Sequence, residues 1–257
     1  MIRHTLRLCA LCGALLIAVA CGKKDVIPQN VANPDRFLFD RGEAALKEKK
    51  WLEAREYYRQ VFDNYPQSPV RPDAKLGIAD TYLGEKSSES LVLADSEFRE
   101  FLTYYPRHQR ADYAQYRLAM THFQQMRGPA RDQTSTRDAL TEFQVFFDKF
   151  PDSPLTPEVR KNWRIARDRL SDSERLVAEL YIRINNLRGA VARLQGVLKE
   201  DPNYTNRDAA YYDLAEIYFK TDNKAQALPY YQKLVDEFTK SEYLEKTQER
   251  LKELKAK

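Results

Sequence analysis

Ala178 is followed twelve residues later by Ala190, and twelve residues after that comes Pro202. Tyr181 lies three residues after the first alanine, and Leu194 and Val197 lie four and seven after the second. This spacing leaves few folds open. Small residues twelve apart fall on facing positions of two antiparallel helices joined by a tight turn, where the backbones cross closely. The aromatic and aliphatic residues fill the holes around the crossing. Proline then ends the second helix, because it has no N–H and its ring clashes with the preceding turn.

The same ruler fits elsewhere in the chain. Gly42, Ala54, Tyr58 and Pro66 keep it, as do Ala215, Tyr218, Ala227 and Tyr231, with Thr239 in the place of the proline. Ala94, Phe98, Phe101 and Pro106 form a second-helix half, and so do Ala139, Phe143, Phe146 and Pro151. Their first helices carry Ala79 with Tyr82 and Ala119 with Phe123, so insertions are expected to lengthen those two turns. Five matches to one template define a tetratricopeptide repeat. The predicted fold is all-α, a solenoid of about five helix-turn-helix units at 35–66, 72–106, 111–151, 157–202 and 207–239. A capping helix should follow at 241–257, since a terminal unit needs a polar outer face.

Local signals set further expectations. Asp35 is placed as the N-cap of the first helix and Thr156 as the N-cap of the seventh, with Pro157 and Glu158 behind it. Residues 47–50, 84–88 and 124–131 are read as turns inside units one, two and three, with Asp132 capping the helix after the third. No glycine or proline interrupts 158–188, and Val159, Trp163, Ala166, Leu170, Val177, Tyr181 and Ile184 recur at helical spacing. One long helix in unit four is therefore predicted, spanning roughly 40 Å at 1.5 Å per residue. It should serve as that unit's first helix and brace unit three.

The chain starts with a different pattern. Arg3, His4 and Arg7 precede an apolar run at 8–20, which is too short to span a bilayer and reads as a signal peptide over 1–20. The run ends in Ala18-Val19-Ala20-Cys21-Gly22, which resembles a bacterial lipobox with Cys21 as the lipidated N-terminus. Leucine is usual at the position of Ala18, and Ala18-Val19-Ala20 also suits an ordinary signal peptidase. Cys9 and Cys12 sit inside the apolar run and read as filler, not as a redox pair. Residues 21–34 are polar and aperiodic, a flexible tether between Cys21 and the repeat domain at 35–257.

Composition excludes several classes. Without Arg3 and Arg7, the 42 Lys and Arg fall to 40 against 38 Asp and Glu, with the signs interspersed. Such a balance gives no basic stripe for nucleic acid. His108 and His122 have no metal-ligand partner at helical spacing, and no hydrolase, dinucleotide or Walker motif is present. No catalytic residue, cofactor or metal is expected.

Particular segments add a family resemblance. Arg131-Asp132-Gln133 to Arg137-Asp138-Ala139, Phe150-Pro151-Asp152-Ser153, Asp168-Arg169-Leu170 to Ala178-Glu179-Leu180-Tyr181, and the run 189–198 resemble the BamD family of outer-membrane β-barrel assembly lipoproteins. The resemblance implies a non-catalytic scaffold, lipid-anchored on the periplasmic side of the outer membrane. Its partners would be the barrel-inserting subunit, other assembly lipoproteins and unfolded outer-membrane β-barrel proteins. In that family an arginine in the second helix of unit four contacts the barrel-inserting subunit, and Arg193 occupies the matching place. A tryptophan commonly precedes that arginine by six residues; here Leu187 stands there. Another exported repeat lipoprotein, acting in pilus assembly or envelope constriction, is the alternative. Geometry suggests a concave peptide groove lined by Phe39, Leu76, Tyr113, Tyr116, Met120 and Phe123, against the simpler reading that these residues pack between units.

Overall fold

The computed structural model describes residues 31–255; residues 1–30 and 256–257 lie outside it. The expected signal peptide, Cys21 and most of the tether therefore fall outside the described residues. Asp35–Lys257 forms one compact unit. Among the described residues there are eleven helices and no strand. Unit one is α1 (Pro34–Lys47) with α2 (Trp51–Asn64), and unit two is α3 (Arg71–Glu85) with α4 (Ser88–Tyr104). Unit three is α5 (Ala111–Gln125) with α6 (Thr134–Lys149), and unit four is α7 (Thr156–Arg183) with α8 (Leu187–Glu200). Unit five is α9 (Arg207–Lys220) with α10 (Lys224–Glu237), and α11 (Leu244–Lys255) packs on α10 as the cap. From α2 onward each helix packs on the next, and Phe39 of α1 meets Tyr58 of α2; α3 also meets α5 as α5 meets α7, so the first helices of units two, three and four stand side by side.

The repeat positions form the core. Ala54, Ala79, Ala94, Ala119, Ala139, Ala178, Ala190, Ala215 and Ala227 are fully buried, as are Tyr58, Phe98, Phe143, Leu194 and Tyr231 beside them. Tyr58 shows how close the backbones come. A Cβ on Gly42 of α1 would lie 2.7 Å from its ring, and a Cβ on Gly77 of α3 would lie 2.5 Å from it. The ring is gripped between two glycines, and its hydroxyl donates to Glu43 Oε1 at 2.6 Å. Unit five repeats the hydroxyl contact with Tyr231 and Glu216, again fifteen residues apart.

Several local expectations need correction. The insertion in unit two does not lengthen the turn, which is only Lys86 and Ser87; it extends α4 instead. Gly84 lies within α3, where a Cβ would be 2.7 Å from the Trp51 ring, so it serves packing and not a turn. In unit three the insertion does form a long loop, at 126–133. Gln133, not Asp132, is the cap residue of α6, although Asp132 Oδ1 accepts from the Thr134 N–H. Asp35 and Thr156 lie inside the first turns of α1 and α7 rather than at their caps.

Asp35 has another role. It accepts a hydrogen bond from Ser68 Oγ at 2.6 Å, tying the turn that leaves unit one to the helix that begins it. That bond holds the Asp35 carboxyl below its ordinary range. Ser153 with Asp112 and Ser241 with Asp208 repeat the latch in units three and five. Each serine oxygen also accepts the N–H two residues on, at 3.2 Å. The intra-unit turns of units one, two, four and five share a left-handed residue: Lys49, Lys86, Asn185 and Asp222, with φ of 58–60°. In units one, four and five the next N–H reaches back to close the helix end, as in Asn186 N–H to the Tyr181 carbonyl at 2.8 Å.

The long helix α7 is present, and its 28 residues span about 42 Å. Its buried face changes midway. Val159 and Ala166 join the core of unit three, while Ala178 joins that of units four and five. Between them the expected apolar stripe is interrupted by Ser171, which is buried and donates to Asp201 Oδ2 at 2.8 Å. Arg164 Nη1 grips the other oxygen of Asp201 at 2.9 Å. Burial acts to raise the Asp201 carboxyl, but the bonds from Arg164 and Ser171 outweigh it and hold it below its ordinary range.

A less satisfied acid lies where α7 meets α9. Asp213 Oδ2 is buried with no hydrogen-bond partner, 3.7 Å from Arg175 Nη1. Burial pushes its carboxyl up to about 6, with Arg175 pulling down and Glu179 adding to the rise. A folded-state value above the unfolded one penalises the ionised fold. The penalty is complete above about pH 6 and gone below about pH 4. Asp213→Asn should therefore raise stability by about 3 kcal/mol at neutral pH, and the gain should disappear at pH 4 in urea unfolding curves.

Candidate functional site

Unit four presents one side of α8 to solvent. Ala190, Leu194 and Val197 face inward and are buried, which turns Arg193 outward. Its Nη1 donates to Glu174 Oε2 of α7 at 2.6 Å, and about half of the side chain remains exposed. The hydrogen bond that Arg193 donates to Glu174 holds the guanidinium above its ordinary range.

Beside this pair lies an open cavity of about 240 Å³ between α7 and α8, bounded by Arg167, Leu170, Glu174, Ala192, Arg193 and Gly196. It exists because Ala192 and Gly196, one turn apart, put almost no side chain there. A Cβ built on Gly196 meets nothing within 4 Å. The rim alternates in sign, with Arg167 and Arg193 against Glu174 and Glu200. Chemically this is a recognition surface. It offers a guanidinium fork for a carboxylate and a small hollow for one side chain. Among the described residues no group of histidines, cysteines or carboxylates could hold a metal ion. No described helix is long and apolar enough to cross a membrane.

The six residues expected to line a concave groove sit differently. Leu76 is fully buried, and Phe39 packs its ring 5.6 Å from that of Tyr58. Tyr116 is buried; its hydroxyl donates to Glu158 Oε1 and accepts from Asn162 Nδ2, each at 2.8 Å. Tyr113 is half-buried, with its hydroxyl donating to Asp80 Oδ2 at 2.8 Å. Met120 and Phe123 are half-buried against the unit-three core, Phe123 meeting Phe143 edge-on. Leu76 has no surface to offer a ligand, and only Tyr113, Met120 and Phe123 keep appreciable exposure. Polar partners that periodicity does not reveal dominate this wall. Asp80 is buried and takes both Tyr113 and Arg117, whose Nε lies 2.8 Å away.

Comparison with known proteins shows the chain's family. The family of outer membrane lipoproteins called YfiO matches residues 31–227, well over half of the chain. The chain belongs to the YfiO outer membrane lipoprotein family. Its relatives include proteins named outer membrane protein assembly factor BamD. The one from Caulobacter vibrioides is 26% identical over 80% of this chain and 68% of its own length. The one from Haemophilus influenzae is 26% identical over 80% of each chain. The Vibrio cholerae protein is 23% identical over 74% of this chain and 81% of its own. The resemblance carried by the sequence segments is thus borne out, and unit four, with Arg193, lies inside the matched region. Solved structures that resemble the chain include a tetratricopeptide repeat protein from Parabacteroides merdae, 13% identical over 81% of this chain and 80% of that one, with a TM-score of 0.37.

Proposed function

We propose that this chain is a non-catalytic scaffold of the machinery that assembles β-barrel proteins in the outer membrane. Arg193 and the hollow beside it dock the periplasmic domains of the barrel-inserting subunit. The relatives named as outer membrane protein assembly factors support the assembly role. The observation that carries the docking site is an exposed arginine beside a hollow floored by Ala192 and Gly196, in the unit that holds the long helix. Glu174 occupies the guanidinium in the free protein, so a partner carboxylate enters by exchange. Other assembly lipoproteins and unfolded barrel proteins are the further partners.

The chain isolated from detergent-solubilised outer membranes should bring down a large barrel protein with periplasmic domains. A pilus secretin or a peptidoglycan-bound complex in its place would support the alternative scaffold roles and refute this one. Cys21 is proposed as the lipid anchor on the periplasmic side. Cys21→Ser should release a soluble periplasmic form, since stable anchoring takes two buried signals. Retention of that variant on partner-free membranes would contradict the anchor.

A further inference from the structure

Units four and five enclose a second concavity, on the side of the second helices and outside the Arg193 hollow. Two adjoining pockets of about 420 and 320 Å³ share Gln195, Tyr230 and Lys233 and so form one trough along α8 and α10. The lining carries Lys199, Arg207 and Lys233 but no carboxylate, although the chain as a whole has nearly as many acids as bases. Arg207 is partly satisfied by the Tyr204 carbonyl at 2.9 Å and by Glu237 at 3.5 Å. Lys233 Nζ lies over the face of Tyr211, 5.8 Å from its centroid, and Lys199 is exposed.

The apolar part of the trough is aromatic. Tyr218 stacks on Tyr230 with ring centroids 6.0 Å apart and an interplanar angle of 11°, and Tyr211 lies 6.3 Å from Tyr230. Gln195 Nε2 donates to the Tyr218 hydroxyl at 3.2 Å. At the far end the wall includes Ala225 and Pro229, one turn apart in α10. Pro229 has no N–H, so the helical bond that would close on the Ala225 carbonyl is missing. The trough thus combines flat ring faces, a backbone acceptor and ammonium groups, with no carboxylate in its lining among the described residues.

We propose that this trough binds an acidic, extended segment of a partner protein, with carboxylates at Lys199 and Lys233 and a tyrosine or proline against Tyr218 and Tyr230. Charge complementarity selects the occupant. An ammonium beside a tyrosine face favours a carboxylate, and the ring pair favours a flat side chain. The Ala225 carbonyl accepts a backbone N–H, which a peptide has and a lipid headgroup or a nucleic-acid strand does not present in the same way. This site does not depend on the reading of Arg193.

The test uses the full chain and a fluorescein-labelled decapeptide of aspartate, proline and tyrosine, followed by anisotropy. The native chain should bind it, and Lys199→Glu with Lys233→Glu should weaken binding by about tenfold or more. Tyr230→Ser should weaken it by roughly two- to tenfold. Lys149→Glu with Lys161→Glu makes the same change of net charge at the end of α6 and the start of α7, outside the trough lining, and should leave binding unchanged. The proposal is overturned by no binding to the native chain, by equal loss in the Lys149/Lys161 control, or by equal binding of the asparagine version of the peptide. It is also overturned if phosphatidylglycerol vesicles, rather than the peptide, lose binding to the Lys199/Lys233 variant.

Discussion

Tyr58→Ala should lower the unfolding free energy by about 3–5 kcal/mol, the range for removing a large buried ring. The ring has no accessible surface, and it fills the space that Gly42 and Gly77 leave between α1 and α3. The gap cannot close easily, because α2 packs on α3 and both are held by their other neighbours. Glu43 would also lose the donor it now has at 2.6 Å. The glycines give this prediction a second, sharper part. Alanine is the better helix former by about 1 kcal/mol, yet a Cβ at Gly77 would sit 2.5 Å from the ring. Gly77→Ala should therefore destabilise the native chain by about 1–3 kcal/mol through overpacking. In the Tyr58→Ala background the same substitution should stabilise by about 1 kcal/mol, because only the propensity gain remains. Urea unfolding of the four proteins would show the change of sign. Additive effects would mean that the ring is not what excludes the Cβ.

The repeat was legible because its signal is steric and periodic. Ala178, Ala190, Leu194 and Val197 are buried at the positions their spacing requires, and the run without glycine or proline is one helix as far as Arg183, where the turn at 184–186 ends it with no glycine. The turns were less legible because their chemistry is not carried by glycine. Lys49 and Lys86 adopt left-handed backbone with no local sequence cue, whereas Gly84, which looks like a turn residue, makes room for Trp51. Hydrogen bonds between distant residues were invisible. The Ser68–Asp35 latch spans 33 residues, and nothing in a local window marks Ser171 as the partner of Asp201. Its periodic recurrence in Asp112–Ser153 and Asp208–Ser241 was the available signal. At the candidate site the outward direction of Arg193 followed from the helix period. The hollow beside it did not, since it depends on how Ala192 and Gly196 face α7. The groove residues illustrate the opposite case. An aromatic stripe at helical spacing cannot say whether it faces a ligand or the next unit.

Arg193→Glu should cost the proposed complex roughly 2–5 kcal/mol of binding free energy if the contact is desolvated, and the fold within about 0.5 kcal/mol. Arginine suits the role because its planar fork grips a carboxylate through two parallel hydrogen bonds. Reversal is expected to be worse than Arg193→Ala, since glutamate would face both Glu174 and the incoming acid. Glu174→Gln should act the other way. An exposed pair is worth about 0.2–1 kcal/mol, so freeing Arg193 from it should tighten binding by about 1.4- to fivefold. Gly196→Leu separates contact from folding. A Cβ there meets nothing within 4 Å and leucine improves helix propensity by about 1 kcal/mol, yet its side chain fills the hollow. A variant that is more stable and binds less would tie the partner to that cavity.

The most direct measurement is a binding isotherm between this chain and the periplasmic domains of the barrel-inserting subunit, taken with a melting curve for each variant. The native chain should bind, and Arg193→Glu should melt normally and bind at least tenfold more weakly. Reversing the facing carboxylate on the partner should restore binding to Arg193→Glu. Native affinity in a normally folded Arg193→Glu would contradict the account.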